Sequence, residues 1–189
     1  MPAEDLRDAA LLIIELQQAI DDPRWAADGP RNNPDAETNI AHLLDAWRRR
    51  GGLVVHVRHD SDEPNSTYRP GQPGNAFKPE ATPLPGETVI AKRVQSAFID
   101  PALGERLGQA RVTRLAVCGV ITNNSVEATV RHAANLGYEV TLVEDACFTF
   151  ARRDARGVHR SAEDVHAMSL ANLDGEYCTV ITTAQALGL

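Results

Sequence analysis

Short apolar runs recur along this chain, and most of them give way to polar residues at their C-terminal end. Leu11-Leu12-Ile13-Ile14 meets Glu15 and Gln17, the pattern of a parallel strand buried on both faces whose end opens toward solvent. Similar runs lie at residues 53–57, 88–90, 114–118, 139–143 and 177–181. Helical spacing fills most of the intervals. Residues 35–50 place Ile40, Leu43, Leu44 and Trp47 on one stripe, and Gly51-Gly52 ends it. Residues 123–135 carry Val126, Val130 and Ala133 before Gly137, and residues 161–173 open on Ser161 with Asp164 three positions later, a capping pattern. Strands alternating with helices of this length predict a doubly wound α/β fold. Its mainly parallel six-stranded sheet carries helices on both faces, a Rossmann-like three-layer arrangement.

Two stretches break the alternation. Residues 60–86 are rich in Pro, Gly, Asn and Ser, and residues 21–34 form a second irregular connection. Loops this long inside a compact domain are usually functional or disordered. With 189 residues, 43% of them hydrophobic, residues 1–189 read as one domain. Acidic residues outnumber basic ones 26 to 19, which argues against nucleic-acid or anionic-membrane partners. No apolar run nears the roughly 20 residues that span a bilayer. The start, Met1-Pro2-Ala3-Glu4-Asp5, is acidic and unlike a secretory signal. Cys118, Cys147 and Cys178 form no CxxC pair, so free thiols in a cytoplasmic protein are expected.

In an open parallel sheet, ligands bind beyond the carboxyl ends of the strands, where the strand order switches. Glu15, Lys92 and Ser125 fall at such ends: an acid or base, a cation, and a hydroxyl in the first turn of a helix. Free N–H groups at a helix start suit a developing oxyanion. Taken singly, each residue also has an ordinary structural reading as solvated acid, surface cation or cap.

Three blocks sharpen the picture. They are residues 11–17, residues 89–98 with Lys92 and Ser96-Ala97-Phe98, and Cys118-Gly119-Val120-Ile121-Thr122-Asn123-Asn124-Ser125 with the helix after it. Together they resemble the isochorismatase-like cysteine hydrolases from about Ala10 to Ala186. The resemblance implies cleavage of C–N bonds in amides, ureides or carbamoyl compounds, or of a vinyl ether, without a cofactor. It also implies a catalytic triad at Glu15, Lys92 and Ser125, a cis peptide between Val120 and Ile121, and an oxyanion hole at the N–H groups of Ile121 and Ser125. A small-molecule substrate and a homodimer or homotetramer are expected on the same ground.

Two positions depart from that pattern: Ser125 stands where the family has Cys, and Glu15 where it has Asp. A thiol of pKa about 8.5 is readily lowered to a thiolate, whereas a serine hydroxyl needs a positioned base. A carboxylate with a reference pKa of about 4.3 is a weak one unless burial raises it. Lys92 could serve if neutral, but Glu15 beside it favours the charged form. Three readings of Ser125 stand: an introduced replacement, a natural residue in a protein that works without cysteine or has lost catalysis, and a working nucleophile. If catalysis has been lost, the chain is a silent binding or assembly protein. If no nucleophile is used, Glu15 protonates a vinyl ether. The extra methylene of Glu15 displaces the carboxylate by roughly a bond length, enough to matter.

Gln17, Trp25, Phe77, Phe98 and Thr122 are candidate pocket walls, and Arg69 and Lys78 candidate contacts for an anionic substrate group, though solvated charges suit them better. Cys118 and Cys178 read as inert core thiols within strands, and Cys147 is expected beyond the fifth strand, nearer the ligand end. His56 and His59 fall on opposite faces of a strand, and Arg58-His59-Asp60 does not match a metal-binding Asp-x-His, so no metal is expected. His159 and His166 read as surface or packing residues.

Overall fold

The computed structural model describes residues 6–189; the acidic Met1–Asp5 segment lies outside the described residues. All six apolar runs become strands of one sheet: β1 (Ala10–Ile14), β2 (Val54–His59), β3 (Thr88–Lys92), β4 (Arg114–Val120), β5 (Glu139–Phe148) and, after a short hairpin of β6 (Arg152–Arg153) and β7 (His159–Arg160), β8 (Thr179–Ile181). The order is β3-β2-β1-β4-β5-β8, and every neighbouring pair is parallel. The chain works outward from β1 to β3, then returns to the other side of β1 with β4. The order therefore switches between β1 and β4, and a crevice opens there at the carboxyl ends.

Helices cover the sheet because their apolar stripes have nowhere else to go. α1 (Ala36–Arg49) buries Ile40, Leu43, Leu44 and Trp47, and the Trp47 indole N–H donates to Ala9 O at 2.8 Å. α2 (Pro101–Gln109) is a helix the apolar pattern did not disclose; it opens on the Asp100 cap with Pro101 following and buries only Leu103 and Leu107. α3 (Glu127–Asn135) is preceded by a π-wound turn, Thr122–Val126, where regular helix was expected. α4 (Ala162–Leu173) begins where Ser161 accepts from Asp164 N at 3.1 Å, and α5 (Thr183–Leu187) closes the chain.

One close approach sets the centre of the sheet. A Cβ on Gly119 would lie 2.2 Å from Ile14 O, and the residue has φ +119°, so only glycine lets β4 pass the end of β1 here. The two long connections are ordered. Residues 60–86 contain two short 3-10 turns, Pro73–Asn75 and Pro79–Ala81, and are tied down by Asn75, whose amide donates to His59 O, Asp60 Oδ1 and Tyr68 O at 2.8 to 3.1 Å. Residues 21–34 meet that loop through Arg24, which donates to Asn65 O, and through Trp25 set edge-on to Tyr68. Among the described residues no helix is long and apolar enough to cross a membrane.

Candidate active site

Three strand ends converge at the switch point. Glu15 is the first residue past β1, Lys92 the last of β3, and Ser125 lies in the π-wound turn after β4. All three are buried, with 8%, 3% and 5% of their surface exposed. Glu15 Oε1 accepts from the Ser125 hydroxyl at 2.9 Å and from the Lys92 ammonium, whose Nζ also lies 3.4 Å from Ser125 Oγ and donates to Val94 O at 2.7 Å. The carboxylate is thus within proton-transfer distance of the hydroxyl, and a cation holds it there.

Glu15 carries its carboxylate on an unusual backbone. Glu15 has φ 51°, a left-handed conformation that costs a non-glycine residue about 1–2 kcal/mol and persists where its surroundings demand it. Its N–H donates to Val57 O at 2.8 Å and its carbonyl accepts from Gln17 N at 2.7 Å, which pins the turn.

The turn that carries Ser125 is held from outside. Ile121 O accepts from Asn124 N and from Val126 N, the second an i→i+5 bond, and the Val120–Ile121 peptide is cis. Thr122 is fully buried; its hydroxyl pairs with His166 Nδ1 of α4 at 2.8 Å, and its carbonyl accepts from Ser169 at 3.4 Å. Asn123 accepts from the Thr149 hydroxyl at the end of β5. Neighbouring elements fix the turn before any substrate arrives.

Two effects oppose each other at Lys92, and the one expected from Glu15 has the expected sign. Burial pushes the Lys92 ammonium below the ordinary lysine value, and Glu15 opposes that shift without cancelling it. Proximity of Glu15 is therefore the lesser effect on Lys92.

The expected pocket walls are distributed unevenly. Trp25, half-buried, stacks on Phe150 at 6.0 Å and stands edge-on to Tyr68 at 6.2 Å, beside a cavity of about 280 Å³ between the two long loops. Gln17 is fully buried and spends its amide on backbone: it donates to His59 O and Asn75 O and accepts from His59 N. Phe77 packs edge-on against His56, and Phe98 is buried against His132 and Tyr138. Lys78 is paired with Asp21 and Glu37, while exposed Arg69 donates to Pro64 O. A larger cleft, about 860 Å³, runs along α4 past Asn123, Glu127, Val165 and Met168 and includes none of the three central residues.

The thiols stay in the core. Cys118 and Cys147 are fully buried, and burial raises both well above the ordinary thiol value; Cys178 is buried just before β8 rather than within it. Cys147 lies inside β5, not beyond it as expected. His159 is exposed, whereas His166 is buried behind Thr122. Among the described residues no group of three His, Cys, Asp or Glu side chains is placed to hold a metal.

Two neighbours of Glu15 escape a reading of the sequence. Tyr68 comes from the irregular loop, is buried beside Trp25 and His59, and keeps its phenol proton because burial, and then Glu15 and Asp21, push its pKa well up. His59, at the end of β2, brings Nδ1 to 3.6 Å from Glu15 Oε1. Its position after a strand was a signal; its partner was not, because strand pairing alone sets which ends adjoin.

The isochorismatase domain family matches residues 9–185. Over its whole length the chain is similar to a crystal structure of a hydrolase of that family from Chromobacterium violaceum, with 59% identity, a TM-score of 0.93 and coverage of 100% of this chain and 99% of the other. It is 36% identical over 152 residues to streptothricin hydrolase of Streptomyces noursei, covering 79% of this chain and 58% of that protein. It is 27% identical over 174 residues to ureidoacrylate amidohydrolase RutB of Variovorax paradoxus, covering 74% of this chain and 68% of that protein.

Proposed function

The chain belongs to the isochorismatase family of hydrolases, and from that premise we propose that it cleaves a C–N bond of a small amide, ureide or carbamoyl compound with Ser125 as nucleophile and no cofactor. One observation carries this reading: a single oxygen, Glu15 Oε1, meets both the Ser125 hydroxyl at 2.9 Å and the Lys92 ammonium in a buried setting. The likeness to an amidohydrolase supports the bond type. Ser125 Oγ attacks the carbonyl carbon while its proton passes to Glu15. The oxyanion develops toward the N–H groups of Ile121 and Ser125, where fixed dipoles act in a water-poor pocket. Glu15 then returns the proton to the leaving nitrogen, and water releases the acyl group from the serine. Lys92 orients Glu15 and offsets its charge throughout.

The test is a screen of small amides, ureides and carbamoyl compounds for ammonia release, with three variants alongside. Ser125→Ala and Glu15→Gln should each lose activity by about 10²-fold or more, and Ser125→Cys should gain, since a thiolate forms more easily than an alkoxide. Turnover of a vinyl ether that survives Ser125→Ala and dies in Glu15→Gln would replace the covalent route by simple acid catalysis. A ligand that raises the melting temperature while no variant turns anything over would make the chain a binding protein.

A further inference from the structure

The cleft of about 860 Å³ along α4 contains none of the three central residues, yet Asn123 and Glu127 in its lining stand two positions before and two after Ser125. The helix beside it is unusual for one at a surface. α4 buries Ala162, His166, Ser169 and Leu173, and at helical spacing it exposes Asp164, Ala167, Met168, Ala171 and Asn172. A surface helix ordinarily turns charged and polar residues outward. α1 does so with Thr38, His42, Asp45 and Arg49. On α4 the middle of the outward face is instead Ala167, Met168 and Ala171, and Met168 is 63% exposed.

Charge in the cleft is sorted by element. The β6–β7 hairpin supplies Arg152 and Arg160, while α3 and the first turn of α4 supply Glu127 and Asp164. The two arginines are direct partners across the hairpin, where like charges repel. Arg160 is answered by Asp154 at 2.7 Å, and Glu127 by Arg131 at 2.8 Å. Among the described residues the side chains of Arg152 and Asp164 have no partner, so the hairpin and the helix each keep one unanswered charge. A small anion would satisfy Arg152 and be repelled by Asp164, and a small cation the reverse. What fits the whole cleft is a surface that carries both signs around an apolar middle. The cleft is itself such a surface. A two-fold axis then lays the basic element of one copy on the acidic element of the other, the self-complementary relation of an isologous pair.

We propose that the outward face of α4 and the β6–β7 hairpin form the interface of a homodimer, in which Arg152 of one protomer pairs with Asp164 of its partner and the surfaces of Ala167, Met168 and Ala171 pack together. The residue types suit that contact. Alanines let two helices approach closely, and the flexible thioether of Met168 fills the remaining gaps. Through Asn123 and Glu127 the second copy backs the turn that carries Ser125. Assembly by this face does not depend on the chemistry proposed for Ser125.

Sedimentation equilibrium of the whole chain tests it. The wild type should be a dimer at micromolar concentration. Arg152→Glu sets two acids against each other twice in the pair, and Asp164→Arg sets two cations against each other twice. Either swap should weaken self-association by about 10²-fold or more, and Met168→Glu should do the same. An equimolar mixture of the Arg152→Glu and Asp164→Arg chains should recover a dimer containing one chain of each kind, because both pairs are then opposite in sign. The double variant Arg152→Glu with Asp164→Arg should again pair with itself. Misfolded chains would not recover on mixing, so rescue separates lost pairing from lost fold. A monomeric wild type overturns the interface, and so do single swaps that remain dimeric. Swapped chains of native circular dichroism that stay apart when mixed overturn the pairing of Arg152 with Asp164.

Discussion

At Lys92 two opposing effects meet. Its side chain is 1% exposed, so water contributes almost nothing to the ammonium, and Glu15 with Val94 O must replace that solvation. Removing one partner of such a pair strands the other charge, at a cost of about 3–5 kcal/mol. Lys92→Met should therefore lower stability by that amount, read as a shift in urea midpoint at unchanged slope, and abolish turnover. The double variant Glu15→Gln with Lys92→Met should be less destabilised than the sum of the two single variants. A loss below about 1 kcal/mol for Lys92→Met, the size of an exposed pair, would mean that water reaches the site and that charge pairing there is incidental. Ser125 shows the other side of residue-scale reading. Its type was visible in the sequence as the wrong nucleophile for the family pattern, yet its bond to Glu15 at 2.9 Å was not, since the two residues are 110 positions apart.

Individual elements were legible to different depths. The central strands stood out because parallel strands covered on both faces read as unbroken apolar runs, and the edge strands β3 and β8, less buried, still showed as short apolar runs. Their C-terminal extensions did not: β5 runs on to Phe148 through Glu144 and Asp145, and a pattern that ends at the first polar pair stops at Val143. α2 was missed because only Leu103 and Leu107 face inward, too few for a stripe, although the Asp100-Pro101 start is a usable signal. The π-wound turn was read as ordinary helix, since nothing in Thr122–Val126 distinguishes the two windings locally. What could be seen in this block was Gly119, and its reason is tertiary. Gly119→Ala places a methyl 2.2 Å from Ile14 O and forces a left-handed backbone, so β4 must move away from β1. The expected cost is on the order of 3 kcal/mol or more, together with loss of activity, because the same shift separates Ser125 from Glu15. Thermal melts and a urea titration measure the first. A variant of native stability would mean that β1 and β4 tolerate the displacement.

At the scale of the whole molecule, distant charges tie the outer edge of the sheet to the helix layer. Glu87, just before β3, accepts from Arg48 of α1, from Leu84 N and from His56. Burial alone would raise its pKa, but these bonds outweigh it and hold the carboxyl at about 2. The sign follows directly: a depressed folded pKa stabilises above the unfolded value and loses that contribution as pH falls. Stability should decline between about pH 4.5 and about pH 2, and Arg48→Ala should flatten that part of the curve in acid melts. An unchanged acid limb in Arg48→Ala would assign the decline to other carboxylates. The strand succession, the helices with a full apolar stripe, the layered class and the three strand-end residues were determined by the sequence itself, because periodicity and turn residues act over a few positions. The strand order, the left-handed turn at Glu15, the facing of His59 and Tyr68 toward that acid, and the balance of burial against charge at Lys92 were decided only by tertiary structure. Each depends on which strand ends become neighbours, and that is set by global packing of the sheet rather than by any local stretch of chain.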